Sequence, residues 1–294
     1  MATGNNTTST LPNSLPYVID EVRQVREFTG VNLRTCDVKK LPEGQGMTYN
    51  EIALERMSDP QAITEQTILD NPQQYEEDLL QIRPTQIGYH IVVTDLMKAR
   101  VSKNVLAQLG TLGGHSMSRK VEKDYLTLLD TAPVSLGGTG VTLNSGYISA
   151  AARRIRSNTT EQSMNSPLFT VLHGLQIHDF ETELSTIGTY PLQGTGMTEE
   201  VYKRGFKGFS VYDTMVYEAG NITIDSSSDA KGGVHAKEGI IFVRGMAPRH
   251  KEIRNEYRGG GSTEILLYDD YAYGFRASGV WVYEIYSNAS VPTS

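Results

Sequence analysis

The chain has almost no cysteine, no excess of positive charge and no long apolar run, and each lack removes a class of protein. One cysteine in 294 residues, Cys36, leaves no intramolecular disulfide and no cysteine cluster for zinc or iron–sulfur. A reducing, intracellular setting is the simplest fit. With 27 Lys and Arg against 34 Asp and Glu, the formal charge is −7. That is opposite in sign to the footprint of a dedicated nucleic-acid binder, although local basic faces stay open. No stretch nears the about 18 apolar residues of a membrane span. The N-terminus, MATGNNTTSTLPNSLP, has neither the basic start nor the apolar core of a signal peptide. No internal repeat recurs at solenoid or propeller periods. What is plentiful is glycine, at 28 residues, which predicts many turns. The length suffices for a sizeable core, with about two domains as the prior.

Along the chain, residues 1–16 are Asn, Thr, Ser and Pro in the main and predict an extended arm. Asp20 is placed to cap a short helix, EVRQVREF, and NLRTCDVKKL alternates as a strand. Residues 41–82 are polar, acidic and interrupted by prolines 42, 60 and 72. A loop of this length is uncommon in a compact domain unless it has a task, and it predicts a two-stranded ribbon that leaves the body and returns. TQIGYHIVVTDLM is the returning strand. In SMSRKVEKDYLTLLD, the residues Met117, Val121, Tyr125 and Leu128 recur at helical spacing and Leu129 widens the stripe. Arg119, Lys120, Glu122 and Lys123 then fall on the other faces. The preceding VSKNVLAQL carries a weaker helical signal, with Gly110, Gly113 and Gly114 expected to break or kink it.

Further on, PLFTVLHGL predicts a buried strand, LQIHDFETEL a helix, GFKGFSVYDTMVYEAGNITI strands and SSSDAKGGVHAK an exposed loop. EGIIFVRGM, EILLYDDYAYGF and GVWVYEIY are apolar or aromatic strands. Gly259, Gly260 and Gly261 form the tip of a hairpin between the first two of these. Strands, a long helix, a mixed stretch and strands again make an α+β chain rather than a repeating βα one.

Chemistry-bearing patterns are few. Gly137-Gly138-Thr139-Gly140 resembles a phosphate loop but is followed by Val141, Thr142, Leu143 and Asn144, without the lysine and Ser/Thr that phosphates and magnesium need. It also lacks the third glycine of a dinucleotide fingerprint. We expect a joint between two domains, with Asn144 or Ser145 capping a helix that runs through Arg156. That helix should bury Ile148, Ala151, Ala152 and Ile155 and leave Arg153, Arg154 and Arg156 at its surface. His178 and Glu181, with Asp179 and Glu183 beside them, have metal-ligand spacing on a helix, yet one pair is no site, and a solvated acidic face is the better account. No G-x-S-x-G elbow exists; GFSVY at 208–212 lacks the last glycine. Cys36 beside Arg34 is better explained as a small core hydrophobe than as an activated thiol. Asp269 and Asp270, adjacent on a strand, face opposite sides. No catalytic, metal or cofactor site is expected, and the chain is not expected to be an enzyme.

The layout of arm, ribbon, long helix and strand-rich ends resembles that of the tailed-phage major capsid proteins, the Hong Kong 97 fold. SPLFTVLHGLQIHDFETEL, RGFKGFSVYDTMVYEAGNI, EGIIFVRGMAPRHKEIRNEY and TEILLYDDYAYGFRASGVWVYEI are similar to its later strands and helices, with a Tyr273-Gly274 step. The resemblance implies an N-terminal arm over 1–35, an E-loop with flanking P-domain strands over 36–98, a spine helix over 99–132, an A domain over 133–240 and closing P-domain strands over 241–294. Return of the C-terminus to the A domain stays open. It implies a coat protein that self-assembles through pentamers and hexamers into an icosahedral shell around double-stranded DNA, in the virion after assembly in the host cytoplasm. Implied partners are a separate scaffolding protein, a portal and weakly held DNA, with a decoration protein open and no membrane. The arm is too short for a fused scaffolding domain, unless the chain is a processed form. Candidate intersubunit contacts are Glu256, Arg258, Gly259, Gly260, Gly261 and Glu264 at the hairpin, which resembles the family's threefold-axis loop. Arg119, Lys120 and Lys123 are candidates for an inward basic face. Two other classes stay open: a tail or decoration protein, which a compact β-sandwich without a long excursion would favour, and a hydrolase, which a pocket joining His173 or His178 to a serine would favour.

Overall fold

The computed structural model describes residues 30–42, 44, 46–54, 57, 59–60, 62–66, 72, 77–100, 103–158, 166–187, 210–257 and 260–292. The predicted arm up to residue 29, with its EVRQVREF helix, lies outside the described residues. Two sheets and a ribbon organise the rest. The first sheet runs β1 (Asp37–Lys40), β10 (Ile240–Asn255), β11 (Ser262–Phe275), β4 (Thr85–Thr94). The second runs β5 (Ser135–Gly137), β12 (Val282–Asn288), β9 (Asp229–Ala236), β6 (Leu168–Leu172), β8 (Thr214–Glu218), β7 (Ser210–Val211). Strands β2 (Tyr49–Leu54) and β3 (Glu77–Ile82) pair antiparallel as a separate two-stranded ribbon. The mixture is α+β, as expected, and the excursion between residues 41 and 86 is a ribbon at its base, as expected. The last strand, β12, pairs with β5 and β9 in the second sheet.

After the short helix α2 (Asp95–Arg100), the helix α3 (Lys103–Asp130) has 28 residues and is about 42 Å long at 1.5 Å per residue. Its glycines do not break it, contrary to expectation. Gly113 instead lets the first sheet approach, since a Cβ there would lie 2.8 Å from a Leu267 methyl and 3.0 Å from an Ile91 methyl. Packing outweighs the helix propensity of glycine, a penalty of about 1 kcal/mol. Val121, Tyr125 and Leu129 are buried as the periodicity predicts, Met117 and Leu128 are half-buried, and Leu126 is buried although the predicted stripe did not include it. Glu122 is not on an outer face: it is 1% exposed. Its carboxylate accepts from the backbone N–H of Val31 at 3.1 Å and of Asn32 at 3.2 Å.

That contact explains a second departure. NLRTCDVKKL is not one strand: Asn32–Thr35 forms a helical turn, α1, and only Asp37–Lys40 is β1. A single turn leaves its first N–H groups unsatisfied, and Glu122, from ninety residues away, supplies the missing acceptor. Thr35 ties the turn further, donating to Tyr125 Oη at 3.0 Å, which lies 2.7 Å from His235 Nε2. Cys36 is buried beneath this turn, and burial pushes its thiol pKa up, so it is the inert small hydrophobe expected.

The largest correction concerns SSSDAKGGVHAK. Asp229–Ala236 is no exposed loop but β9, an interior strand of the second sheet, with nearly every residue buried. Its glycines are there for proximity: a Cβ on Gly232 would lie 2.4 Å from the Val171 carbonyl oxygen, and one on Gly233 3.2 Å from Leu129. Two helices cover the second sheet's core. Helix α4 (Ser145–Arg156) buries Ile148, Ala151, Ala152 and Ile155 against Leu168, Leu172 and Val234, and leaves Arg153, Arg154 and Arg156 exposed, as the sequence predicts. Helix α5 (Gly174–Ile187) adds Ile177.

Candidate assembly surfaces

The glycine turn before α4 is built to hold the protein's own carboxylates. Gly137 and Gly140 have φ of +99° and +70°. The Gly138 N–H donates to the Tyr286 carbonyl at 2.9 Å, and the Gly140 N–H to buried Asp229 at 2.9 Å. The Leu143 N–H donates to Asp179 at 3.1 Å, and Ser145 donates through its backbone and its hydroxyl to Glu183 at 2.7 and 2.9 Å. Asn144 occupies the cap position without a side-chain cap bond; Glu183 does the capping. Asp179 and Glu183 are therefore not a solvated acidic face, and burial raises the Asp179 carboxyl pKa. A phosphate at this turn would meet three carboxylates where it needs donors. The turn is a joint between strand β5 and helix α4.

The other chemical candidates do not converge. His178 lies 4.0 Å from Glu181, an exposed pair, and among the described residues no cluster of three or more His, Cys, Asp or Glu could hold a metal. His173 accepts from the Leu175 N–H at 3.1 Å. Asp269 is buried and lies 3.4 Å from Arg244, while Asp270 pairs opposite Gln86.

Surfaces fit for contact with another molecule lie at the two ends of the first sheet. The ribbon pairs Ile52 with Leu79. Alternation puts these two and Leu54 on one face, where they are 59%, 51% and 60% exposed. The opposite face turns to the body: Ile82 is buried, with Tyr49 and Leu80 packed beside it. At the base, Arg276 just past β11 lies 2.7 Å from Asp37 and 2.6 Å from Glu51. Burial works to raise the Asp37 pKa, and the Arg276 guanidinium outweighs it, so the carboxyl titrates below its ordinary range.

The hairpin joining β10 and β11 is the other end. Tyr257 at its tip is fully exposed, and Gly260 and Gly261 have φ of +75° and +106°, as a tight tip requires. Of the candidates here, Glu256 accepts from Arg254 at 2.6 Å, and Arg254 reaches across to Asp95 at 2.7 Å. Glu264 accepts from Asn255 at 2.9 Å and lies 3.2 Å from His90. Both carboxylates are thus engaged within the chain. Arg258 and Gly259 lie outside the described residues. Arg119, Lys120 and Lys123 are exposed on α3, and Lys120 pairs with Asp124 one turn on. The sequence reading missed Glu122, Arg276 and the outward face of the ribbon. Only the last left a signal, the alternation in YNEIAL and EDLLQI.

Solved structures supply the decisive comparison. The head structure of Helicobacter pylori bacteriophage KHP40 superposes with a TM-score of 0.69 over 97% of this chain and 99% of that one, at 11% identity. The capsid of cyanophage P-SCSP1u gives 0.68 over 96% and 95%, at 11% identity. The chain has the phage-capsid fold. Mycobacterium phage Che8 gives 0.64 over 92% and 97%, at 14% identity. No protein-family model matches the sequence, and no curated protein does.

Proposed function

We propose that the chain is the major capsid protein of a tailed double-stranded DNA phage and self-assembles into the icosahedral shell of the virion. The observation that carries this is the near-complete overlap in both directions with chains from phage heads. Superposition over 96–97% of this chain suits a coat protein. Its work is structural: heterologous contacts repeated around an axis close into pentamers and hexamers.

Residues 1–35 would be the arm, 36–98 the E-loop and its flanking strands, 99–132 the spine, 133–240 the A domain and 241–294 the closing strands, with β12 returning to the A-domain sheet. The ribbon would lie across a neighbouring copy with Ile52, Leu54 and Leu79 buried there; covering apolar area contributes about 25 cal/mol per Å². The hairpin with Glu256, Arg258, Gly259, Gly260, Gly261 and Glu264 would meet its symmetry mates. Arg119, Lys120 and Lys123 would face the DNA weakly. Scaffolding and portal proteins would complete assembly.

Negative-stain microscopy with light scattering on the purified protein tests the proposal. Shells or capsomer rings are expected, and a chain lacking about residues 45–80 should stay a soluble monomer. A strictly monomeric wild-type protein would refute the proposal, and normal shells from the deletion would refute the role given to the ribbon.

A further inference from the structure

The base of the ribbon is joined to the body by an apolar cluster, in which Ile82, Tyr49 and Leu80 pack with Ile241 and Val243, and by a charged contact. At the centre of the cluster Ile82 lies over Gly274 in β11, where a Cβ would lie 2.6 Å from the Ile82 Cδ1. The charged one is Arg276, whose side chain is 14% exposed. Its Nη2 lies 2.9 Å from Glu51 Oε2 in β2 and 2.7 Å from Asp37 Oδ2 in β1. Its Nε lies 2.6 Å from Glu51 Oε1. Its Nη1 donates to the Glu238 carbonyl at 3.1 Å, in the turn that leads into β10. One side chain therefore touches the ribbon, an edge strand and the start of the longest strand.

A guanidinium is a rigid planar fork whose N–H groups point in fixed directions, so contacts to three groups at once fix direction as well as distance. Glu51 accepts a hydrogen bond from Nη2 and has its other oxygen close to Nε as an ion pair without hydrogen-bond alignment, and Asp37 and the Glu238 carbonyl hold the same guanidinium from the body side. Apolar packing is non-directional, so the cluster alone fixes the ribbon's angle less sharply than the guanidinium does.

We infer that Arg276 is the positioning residue of the ribbon, setting the angle at which it leaves the body. This rests on reading the chain as a shell subunit, where that angle decides whether a neighbour is met in register. The paired part of the ribbon is about 20 Å long at ~3.3 Å per residue, so a swing of about 10° moves its far end by about 3.5 Å. That is about one residue spacing, enough to take Ile52, Leu54 and Leu79 out of a matching surface. Rings that must close tolerate little such error at each repeated contact.

The lone native cysteine is buried, so spin labels can be attached at Leu54→Cys on the ribbon and Arg153→Cys on α4, and the distance distribution read by pulsed electron resonance on unassembled chain. In the parent a narrow distribution is expected. Arg276→Gln should widen it by about twofold or more, and Arg276→Lys should fall between, because an ammonium lacks the fork. Pairing Arg276→Glu with Glu51→Arg should narrow it again relative to Arg276→Glu alone. Unfolding midpoints test whether the body is untouched. An unchanged width in Arg276→Gln, or a swap no narrower than the single variant, overturns the inference. In unlabelled chains, Arg276→Gln should give aberrant or open particles. If the wild-type protein makes no shells, the capsid proposal fails while the label distances still judge the role of Arg276.

Discussion

Replacing Glu122 by alanine removes the acceptor that ends the helical turn α1 at Val31 and Asn32. The two N–H groups it serves are buried, at 3.1 and 3.2 Å from its oxygens. A buried donor left unpaired costs about 1–3 kcal/mol. Two of them, with partial relaxation, give a loss of about 2–5 kcal/mol, a large part of the roughly 5–15 kcal/mol of a whole domain. Glutamine keeps an acceptor oxygen in place and should cost about 1 kcal/mol or less at pH 7. The two variants also differ in how they respond to acid. Burial raises the Glu122 pKa above its usual value, with the Val31 and Asn32 N–H groups pulling the other way. A folded pKa above the unfolded one means that this group's stabilisation is full below about 4.5 and is lost as pH rises through the folded value. Glutamine does not titrate, so the balance between wild type and Glu122→Gln should move towards wild type as pH falls from 7 to about 4.5. Urea unfolding of unassembled chain, with the midpoint read at unchanged slope, measures both effects. An alanine variant within about 0.5 kcal/mol of wild type would refute the capping role. A pH shift of the opposite sign would refute the account of burial.

Three further outcomes are expected. Gly137→Ala should destabilise severely, by about 3 kcal/mol or more, because the new Cβ would lie 2.1 Å from the Tyr286 carbonyl oxygen at a φ of +99°; Gly140→Ala, at φ +70° in open space, should cost only about 1 kcal/mol, and equal losses by thermal unfolding would contradict this. His235 is fully buried, accepts from Tyr125 through Nε2 and has its pKa lowered to about 4 by burial; the unfolded chain therefore takes up its proton first, and stability should fall as pH drops from about 6.5 through 4. That slope should flatten in His235→Gln, and an unchanged slope would show that other groups carry it. Calorimetric titration with ATP, GTP and NAD should give no heat beyond dilution, since Asp229, Asp179 and Glu183 already occupy the donors at the glycine turn; micromolar binding abolished by Gly138→Val would reopen the enzymatic reading.

The sequence by itself determined the elements whose signal is local and repeated. The stripe of Val121, Tyr125 and Leu129 marked α3, Ile148, Ala151, Ala152 and Ile155 marked the buried face of α4, and the polar, proline-broken run after residue 41 marked the ribbon. Their order along the chain was enough for the α+β class and the resemblance to capsid proteins. Tertiary structure decided the positions where a distant partner outweighs local preference. Asp229–Ala236 reads as a loop because its glycines and polar residues lack strand propensity, yet it is an interior strand because only glycine fits against Val171 and Leu129. Asn32–Thr35 is helical because Glu122 satisfies its donors, and Glu122 reads as a surface residue because its partners lie ninety positions earlier. Arg276 gathers Glu51, Asp37 and Glu238 from three remote segments. Hydrophobic periodicity is written in neighbouring residues, whereas a buried charge or a close-packed glycine has meaning only through what the fold brings against it.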